Sequence, residues 1–166
     1  MDQEALKSLQ APLKAKYKDA PEAAMITLHA EGRLGENASC SVTTARAIVK
    51  AALHPATGGS GADICSGDML LEALVACAGV TLGAVATALG LTIGDAQLQA
   101  EGDLDFRGTL GVDKATPVGF QNIRLSIHGA DHLSEEQRST LLKLTERYCV
   151  VYQTLKIPPK LSAGFA

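Results

Sequence analysis

Four thiols are the residues of this sequence best suited to chemistry, and their positions, Cys40, Cys65, Cys77 and Cys149, narrow what that chemistry is. They stand 25, 12 and 72 positions apart, which fits neither the CxxC spacing of zinc sites nor a dense secreted disulfide framework. Two uses remain for such a cysteine: a small buried hydrophobe, or a nucleophile and redox centre. Cys77 poses the choice most sharply, because it stands in the apolar run LVACAGVTLGAVATAL that follows the glycine-rich stretch GGSGADICSGD. The helix expected there cannot activate it. Cys77 lies about three turns from the expected cap, Ser66, and a helix dipole fades within the first turn. A thiolate at Cys77 therefore needs a cation from elsewhere, and the arginines available are Arg33, Arg46, Arg107, Arg124, Arg138 and Arg147. Cys65 just precedes the helix, where a thiol pKa is lowered, but it reads first as a small loop residue. Cys40, on an expected strand, reads as packing.

Other chemistry-bearing patterns are thin. His29, His54, His128 and His132 are scattered without HxH or HxxxH spacing, so no metal site is expected. A cysteine and histidine pair for acyl transfer stays open, though nothing places a histidine beside Cys77. The stretch GGSG, Gly58 to Gly61, lacks the lysine and spacing of a phosphate loop and reads as a lid before the helix. GTLG, Gly108 to Gly111, reads as a hairpin connection, and no nucleotide or other cofactor is expected.

The elements that must position these residues follow from patterning. The segment from Leu6 to Tyr17 repeats apolar residues at helical spacing and is expected to dock as an N-terminal arm, residues 1–20, broken or kinked at Pro12. Residues 21–166 are expected to form a single domain, on the usual scale of about 100 to 200 residues per domain. From Ala23 to Pro55 short alternating runs broken at Gly32, Gly35 and Asn37 predict a strand, a turn near Leu34 to Asn37, and one or two further strands. A second extended pair, DAQLQAEGDLDFRGTL and VGFQNIRLSIHG, is joined by turn material from Gly111 to Pro117. Ser134 with Gln137 makes a capping box that opens a helix running through Cys149 until Pro158 and Pro159 end it. The order of strands, helix, strands and helix predicts an α+β fold with largely antiparallel pairing.

From Ser66 to Leu89 the central helix spans about 36 Å at about 1.5 Å per residue, against a radius of gyration near 15 Å for a domain of this length. It must lie at the centre. Its apolar stretch from Ala73 to Leu89 is rich in alanine and glycine, falls short of a span of about 20 residues and lacks flanking Lys or Arg, so no membrane partner is expected. Apolar on nearly every face, it needs partners on two sides, and a homodimer supplies the second. A net charge of -3, a pI near 5.8 and 4% aromatic content argue against nucleic acid as a partner. The N-terminus, with Asp2 and Glu4, is neither a signal nor a transit peptide, and a cytoplasmic location is expected.

Three pieces in order give the chain a resemblance to the OsmC/Ohr family, the osmotically inducible and organic hydroperoxide resistance proteins. They are the GRLG turn at Gly32 to Gly35, the GG-containing loop entering a long helix with LVACAGVTL, and the late ERYCVVYQTL. The resemblance implies antiparallel sheets wrapped around long central helices in an intertwined homodimer. It also implies a thiol peroxidase: Cys77 attacks an organic hydroperoxide, Cys149 resolves the sulfenate as an intramolecular disulfide, and Arg33 favours the thiolate. An external dithiol would recycle the disulfide. Two departures stand out. The family's Asn-Pro-Glu helix entrance is Cys65, Ser66 and Gly67 here, with Asp68 read as a first-turn acid, and the usual proline after the second cysteine is Val150. Without that proline the helix is expected to continue through Cys149. The alternative function is a non-catalytic dimer that binds a small hydrophobic ligand.

Overall fold

A computed structural model of the chain describes residues 2–20, 31–35, 39–43, 48–94 and 96–165, with the backbone alone for 31–35 and 39–43. The chain divides into two compact units. One comprises Met1–Ala15, Ala73–Gln99 and Leu125–Ala166, the other Lys16–Glu72 and Ala100–Arg124.

Helix α1 spans Gln3–Asp19, and the Asp2 carboxylate caps its start by accepting from the Ala5 N–H at 2.8 Å. Pro12 lies inside it without ending it, against the break expected there. A proline removes one N–H, and the bonds on either side carry the helix across. The Gln3 amide donates to the Ala88 carbonyl at 2.9 Å, satisfying one of the orphan acceptors in the last turn of the long helix α2, Ser66–Leu89.

In the second unit β1 (Glu31–Gly35), β2 (Ser39–Thr43), β3 (Ile48–Ala52) and β4 (Ile64–Cys65) form a four-stranded sheet in that order. The first three pair antiparallel, with Arg33 opposite Ser41 and Leu34 opposite Cys40. The short β4 runs parallel to β3, with Cys65 opposite Ala52. Gly58 closes a 3-10 turn over Pro55–Thr57 at φ 89°, a left-handed conformation that favours glycine. A Cβ on Gly59 would lie 1.7 Å from the Leu53 carbonyl oxygen, so this stretch is held against its own backbone.

Strands β5 (Gln97–Asp103) and β6 (Asn122–His128) form a two-stranded sheet, each alternating exposed and half-buried residues as a one-sided strand requires. The extended segment expected to reach Leu110 ends at Asp103. Asp105 caps a helical turn, α3, Phe106–Thr109, by accepting from the Arg107 N–H at 3.0 Å, so Gly108 to Gly111 belongs to a longer connection than a hairpin. Helix α4 (Glu135–Tyr148) opens on the expected capping box, in which Ser134 Oγ accepts from the Gln137 N–H at 3.2 Å while the Gln137 side chain accepts from the Ser134 N–H at 2.9 Å. It does not continue through Cys149. A separate helix, α5, covers Val150–Lys156.

The core of the first unit forms where α2 meets β6 and α4. Leu82, Ala86, Leu133 and Leu141 are buried, with Ile127, Leu98 and Val85 packed against them. Every fourth residue of α2, Leu74, Ala78, Leu82 and Ala86, is buried, a single stripe on a helix that by length and hydropathy could also cross a membrane. That stripe makes it a core helix. Its other side is open, with Val80 at 76% exposure.

Candidate active site at a helix break

Cys77 and Cys149 lie in the same unit, and the fold brings their sulfurs together. Cys77 follows the buried stripe by one step. Adjacent to Ala78 and rotated from it by about 100°, it sits half-buried at the margin between the packed and open sides of α2.

Cys149 is placed by a change of backbone direction. Its N–H makes the last regular bond of α4, to the Thr145 carbonyl at 2.9 Å, and its own φ of -73° and ψ of 112° are extended. Its sulfur then caps α5 by accepting from the Tyr152 N–H at 3.4 Å. The thiol is fully buried. Beside it, the Thr145 hydroxyl donates to the Leu141 carbonyl at 2.8 Å, so this buried polar group is satisfied.

The break leaves the amides of Val150 and Val151 in the first turn of α5, near the Cys77 sulfur. Burial by itself pushes the Cys77 thiol up; the Val151 amide, the Cys149 thiol, the Val150 amide and the Thr81 hydroxyl together outweigh it and leave the thiol below its ordinary value. Cys149 moves the opposite way. Burial raises it first, and the neighbouring Cys77 sulfur raises it further, while the Tyr152 amide opposes both. The two thiols are thus shifted apart, Cys77 below its ordinary pKa and Cys149 above it.

The start of α5 lies near Cys77, and sequence reasoning missed it because Val150 and Val151 carry no polar side chain. Thr81 was also missed. Its hydroxyl lies one helical turn past Cys77 and donates to the Cys77 carbonyl at 2.8 Å, a position that i, i+4 spacing alone could have suggested.

The remaining expected residues divide between the units. Arg33 stands in β1, and its side chain, like that of Cys40, lies outside the described residues. Cys65 belongs to the other unit and is a free, half-buried thiol. It borders a cavity of about 360 Å³ together with His54, Asp68, Phe106 and Phe120. The His54 ring stacks on Phe106 with centroids 4.8 Å apart, and its Nδ1 accepts from the Ala56 N–H at 3.0 Å. Gly67, in place of the family carboxylate, faces apolar atoms: a Cβ there would lie 3.4 Å from Phe120 and 3.6 Å from Leu104. Asp68 sits exposed in the first turn of α2, where an acid complements the helix N-terminus.

Comparison with known proteins follows the same outline. The family model described as OsmC-like protein matches residues 58–163, a span that contains both Cys77 and Cys149. No curated protein matches the chain. Among solved structures, the OsmC like protein from Mycoplasma pneumoniae is 20% identical with a TM-score of 0.64, over 80% of this chain and 89% of that one. An organic hydroperoxide resistance protein OsmC from Legionella pneumophila is also 20% identical, with a TM-score of 0.63 over 81% and 92% of the two chains. The organic hydroperoxide resistance protein OhrB of Bacillus subtilis is 18% identical, with a TM-score of 0.58 over 81% and 94%. At such identities the solved structures establish the fold, here an α+β arrangement of small sheets and a long helix. With the family model covering most of the sequence and the fold shared, the chain belongs to the OsmC-like protein family.

Proposed function

We propose that the protein is a thiol-dependent peroxidase for organic hydroperoxides, with Cys77 as attacking sulfur and Cys149 as resolving thiol. One observation carries this reading: a half-buried thiol, Cys77, with its pKa held below the ordinary value lies beside a fully buried second thiol, Cys149, whose pKa is raised. Two solved structures that share the fold are named organic hydroperoxide resistance proteins, which supports the choice of substrate class.

The Cys77 thiolate attacks the terminal peroxide oxygen, forming an S–O bond as the O–O bond breaks, and the departing alkoxide takes a proton from solvent and leaves as alcohol. Cys149 then attacks the Cys77 sulfur. The S–S bond forms, the S–O bond breaks, and the hydroxyl leaves as water with the Cys149 proton. An external dithiol returns both cysteines to the reduced state, a cycle suited to a cytoplasmic setting. No cofactor is needed. Arg33 enters the proposal from the family resemblance, as a cation that adds to the amide donors in favouring the thiolate.

The working unit in this reading is a homodimer. The open side of α2, carrying Ala73, Ala76 and Val80, is apolar and exposed, and a second copy of the helix would cover it. Residues 1–20 act as an arm, and residues 21–166 as the domain that carries the chemistry.

Mapping thiols by mass spectrometry after one equivalent of cumene hydroperoxide tests the reading. Wild type should yield a Cys77–Cys149 disulfide, Cys77→Ser should lose peroxide consumption, and Cys149→Ser should accumulate sulfenate at Cys77. An unmodified Cys77 in wild type would sink the peroxidase reading and favour a binding protein.

A further inference from the structure

The second unit holds a thiol that the proposed peroxidase chemistry does not use. Cys65 ends β4 immediately before α2, is free and half-buried, and lines the cavity of about 360 Å³ at the entrance of that helix. That volume lies at the lower end of the range for small-molecule sites, about 300 to 1,000 Å³. The walls of the cavity are aromatic and are fixed by close backbone contacts. The Phe120 ring lies directly on β5, where a Cβ on Gly102 would collide with it, so glycine at this position is what admits the ring. Phe106 opens α3, which Asp105 caps and which Gly108 seats against the next segment: a Cβ there would lie 2.7 Å from the Thr116 carbonyl oxygen and 2.8 Å from that of Pro117. The His54 ring stacks on Phe106. Because its Nδ1 accepts from the Ala56 N–H, the neutral ring carries its proton on Nε2.

Gly67 leaves the space between these groups open. A Cβ there would meet the Phe120 ring at 3.4 Å, the Leu104 side chain at 3.6 Å and the Cys65 sulfur at 3.7 Å, so one point in the cavity touches an aromatic ring, an aliphatic chain and a thiol at once. The charges around it disfavour an anion. Asp103 is held by Arg124 at 2.8 Å, while Asp68 has no ion-pair partner among the described residues.

We propose that this cavity captures small uncharged aryl enones and enals, planar molecules in which an aromatic ring is conjugated to an α,β-unsaturated carbonyl, with the ring against Phe106 and Phe120 and the β-carbon at the Cys65 sulfur. Ring against ring supplies the selection for an aromatic ligand. The His54 Nε2–H supplies a donor for the carbonyl oxygen, and the thiolate of Cys65 is the nucleophile. In the addition the S–C bond forms at the β-carbon, the C=C π pair passes through the enolate to the α-carbon, and the proton lost by the thiol ends on that carbon. The step is redox-neutral and needs no further reactant. It uses neither Cys77 nor Cys149, so it stands independently of the peroxidase reading.

The test is the rate of adduct formation at Cys65 in the full reduced chain, read peptide by peptide by mass spectrometry. Benzylideneacetone is the probe, and methyl vinyl ketone carries the same reactive group without the ring. Labelling of Cys65 by benzylideneacetone should saturate with concentration, and benzylacetone, its saturated and unreactive counterpart, should slow it; labelling by methyl vinyl ketone should stay proportional to concentration. Phe120→Ala should raise the half-saturating concentration about two- to tenfold, the scale of one aromatic contact. Gly67→Leu, which fills the point where ring, chain and thiol meet, should abolish saturation. Wild-type labelling at Cys65 that stays linear in benzylideneacetone and indifferent to benzylacetone would overturn the proposal whatever the variants do. So would an unchanged half-saturating concentration in Phe120→Ala with its circular dichroism spectrum retained. If neither variant folds, saturation and competition in the wild type decide alone.

Discussion

At the scale of single residues, the acidity of Cys77 is a contest between desolvation and hydrogen bonding. Taking a sulfur anion out of water disfavours it, and a buried thiol with no donors would titrate above the ordinary value of 9.0. The Val151 and Val150 amides and the Cys149 thiol near the sulfur act against that and leave its pKa below the ordinary value. Cys149 has the same burial problem with the Cys77 charge added to it. For an acid, a lowered pKa extends the anion to lower pH and a raised pKa confines it to higher pH. Iodoacetamide should therefore label Cys77 with a half-maximal pH below 9.0 and Cys149 only above it. The reverse order, read from the two tryptic peptides, would contradict the division of roles.

The elements explain how a mainly apolar helix can carry such a group. α2 spends every fourth residue on the core, so Leu74, Ala78, Leu82 and Ala86 fix its rotation, and that rotation sets Cys77 at the margin facing the α4 to α5 break. Leu82 is 1% exposed and packs with Ala86, Leu133 and Leu141. Leu82→Ala should cost about 2 to 5 kcal/mol in urea unfolding, the usual range for a buried leucine that leaves a cavity. A loss below about 1 kcal/mol would show that the stripe does not anchor the helix. The break at Cys149 is the second positioning element. It combines an extended residue, a sulfur cap on Tyr152 and the Gln153 reach to Glu146, the last joining residues on opposite sides of the break.

For the whole molecule the open side of α2 matters most. Ala73, Ala76 and Val80 lie on one side of the helix, away from the buried stripe, and Val80 alone is 76% exposed. An apolar strip on a long helix is costly to leave in water, which is why a second copy is its proposed cover. Val80→Glu adds a charge to that strip without touching the core of the chain. Light scattering should report twice the chain mass for wild type and the mass of a single chain for the variant, with the circular dichroism spectrum retained. A wild-type protein of single-chain mass would refute the homodimer.

Much of this was legible in the residues themselves. The long helix α2 follows from the apolar run Ala73 to Leu89 behind the cap expected at Ser66, and Ser134 with Gln137 announces α4, because both signals are local. The pairing of Cys77 with Cys149 came from family resemblance, and their meeting in space is a matter of fold, since 72 positions separate them. Pro12, the end of the strand before α3 and the break at Cys149 were not legible. At Pro12 the neighbouring helical bonds outweigh one missing donor, and at Asp105 a side-chain cap turns the chain. At Cys149 the backbone turns extended with no glycine or proline to announce it, and Gln153, seven positions from Glu146, bridges the break by donating to the Glu146 carbonyl. The sequence by itself determined which thiols are available and where the long apolar helix runs. Only the tertiary structure decided that Cys77 and Cys149 meet, because residues 72 positions apart are brought together by the packing of α2 against α4 and by no local signal.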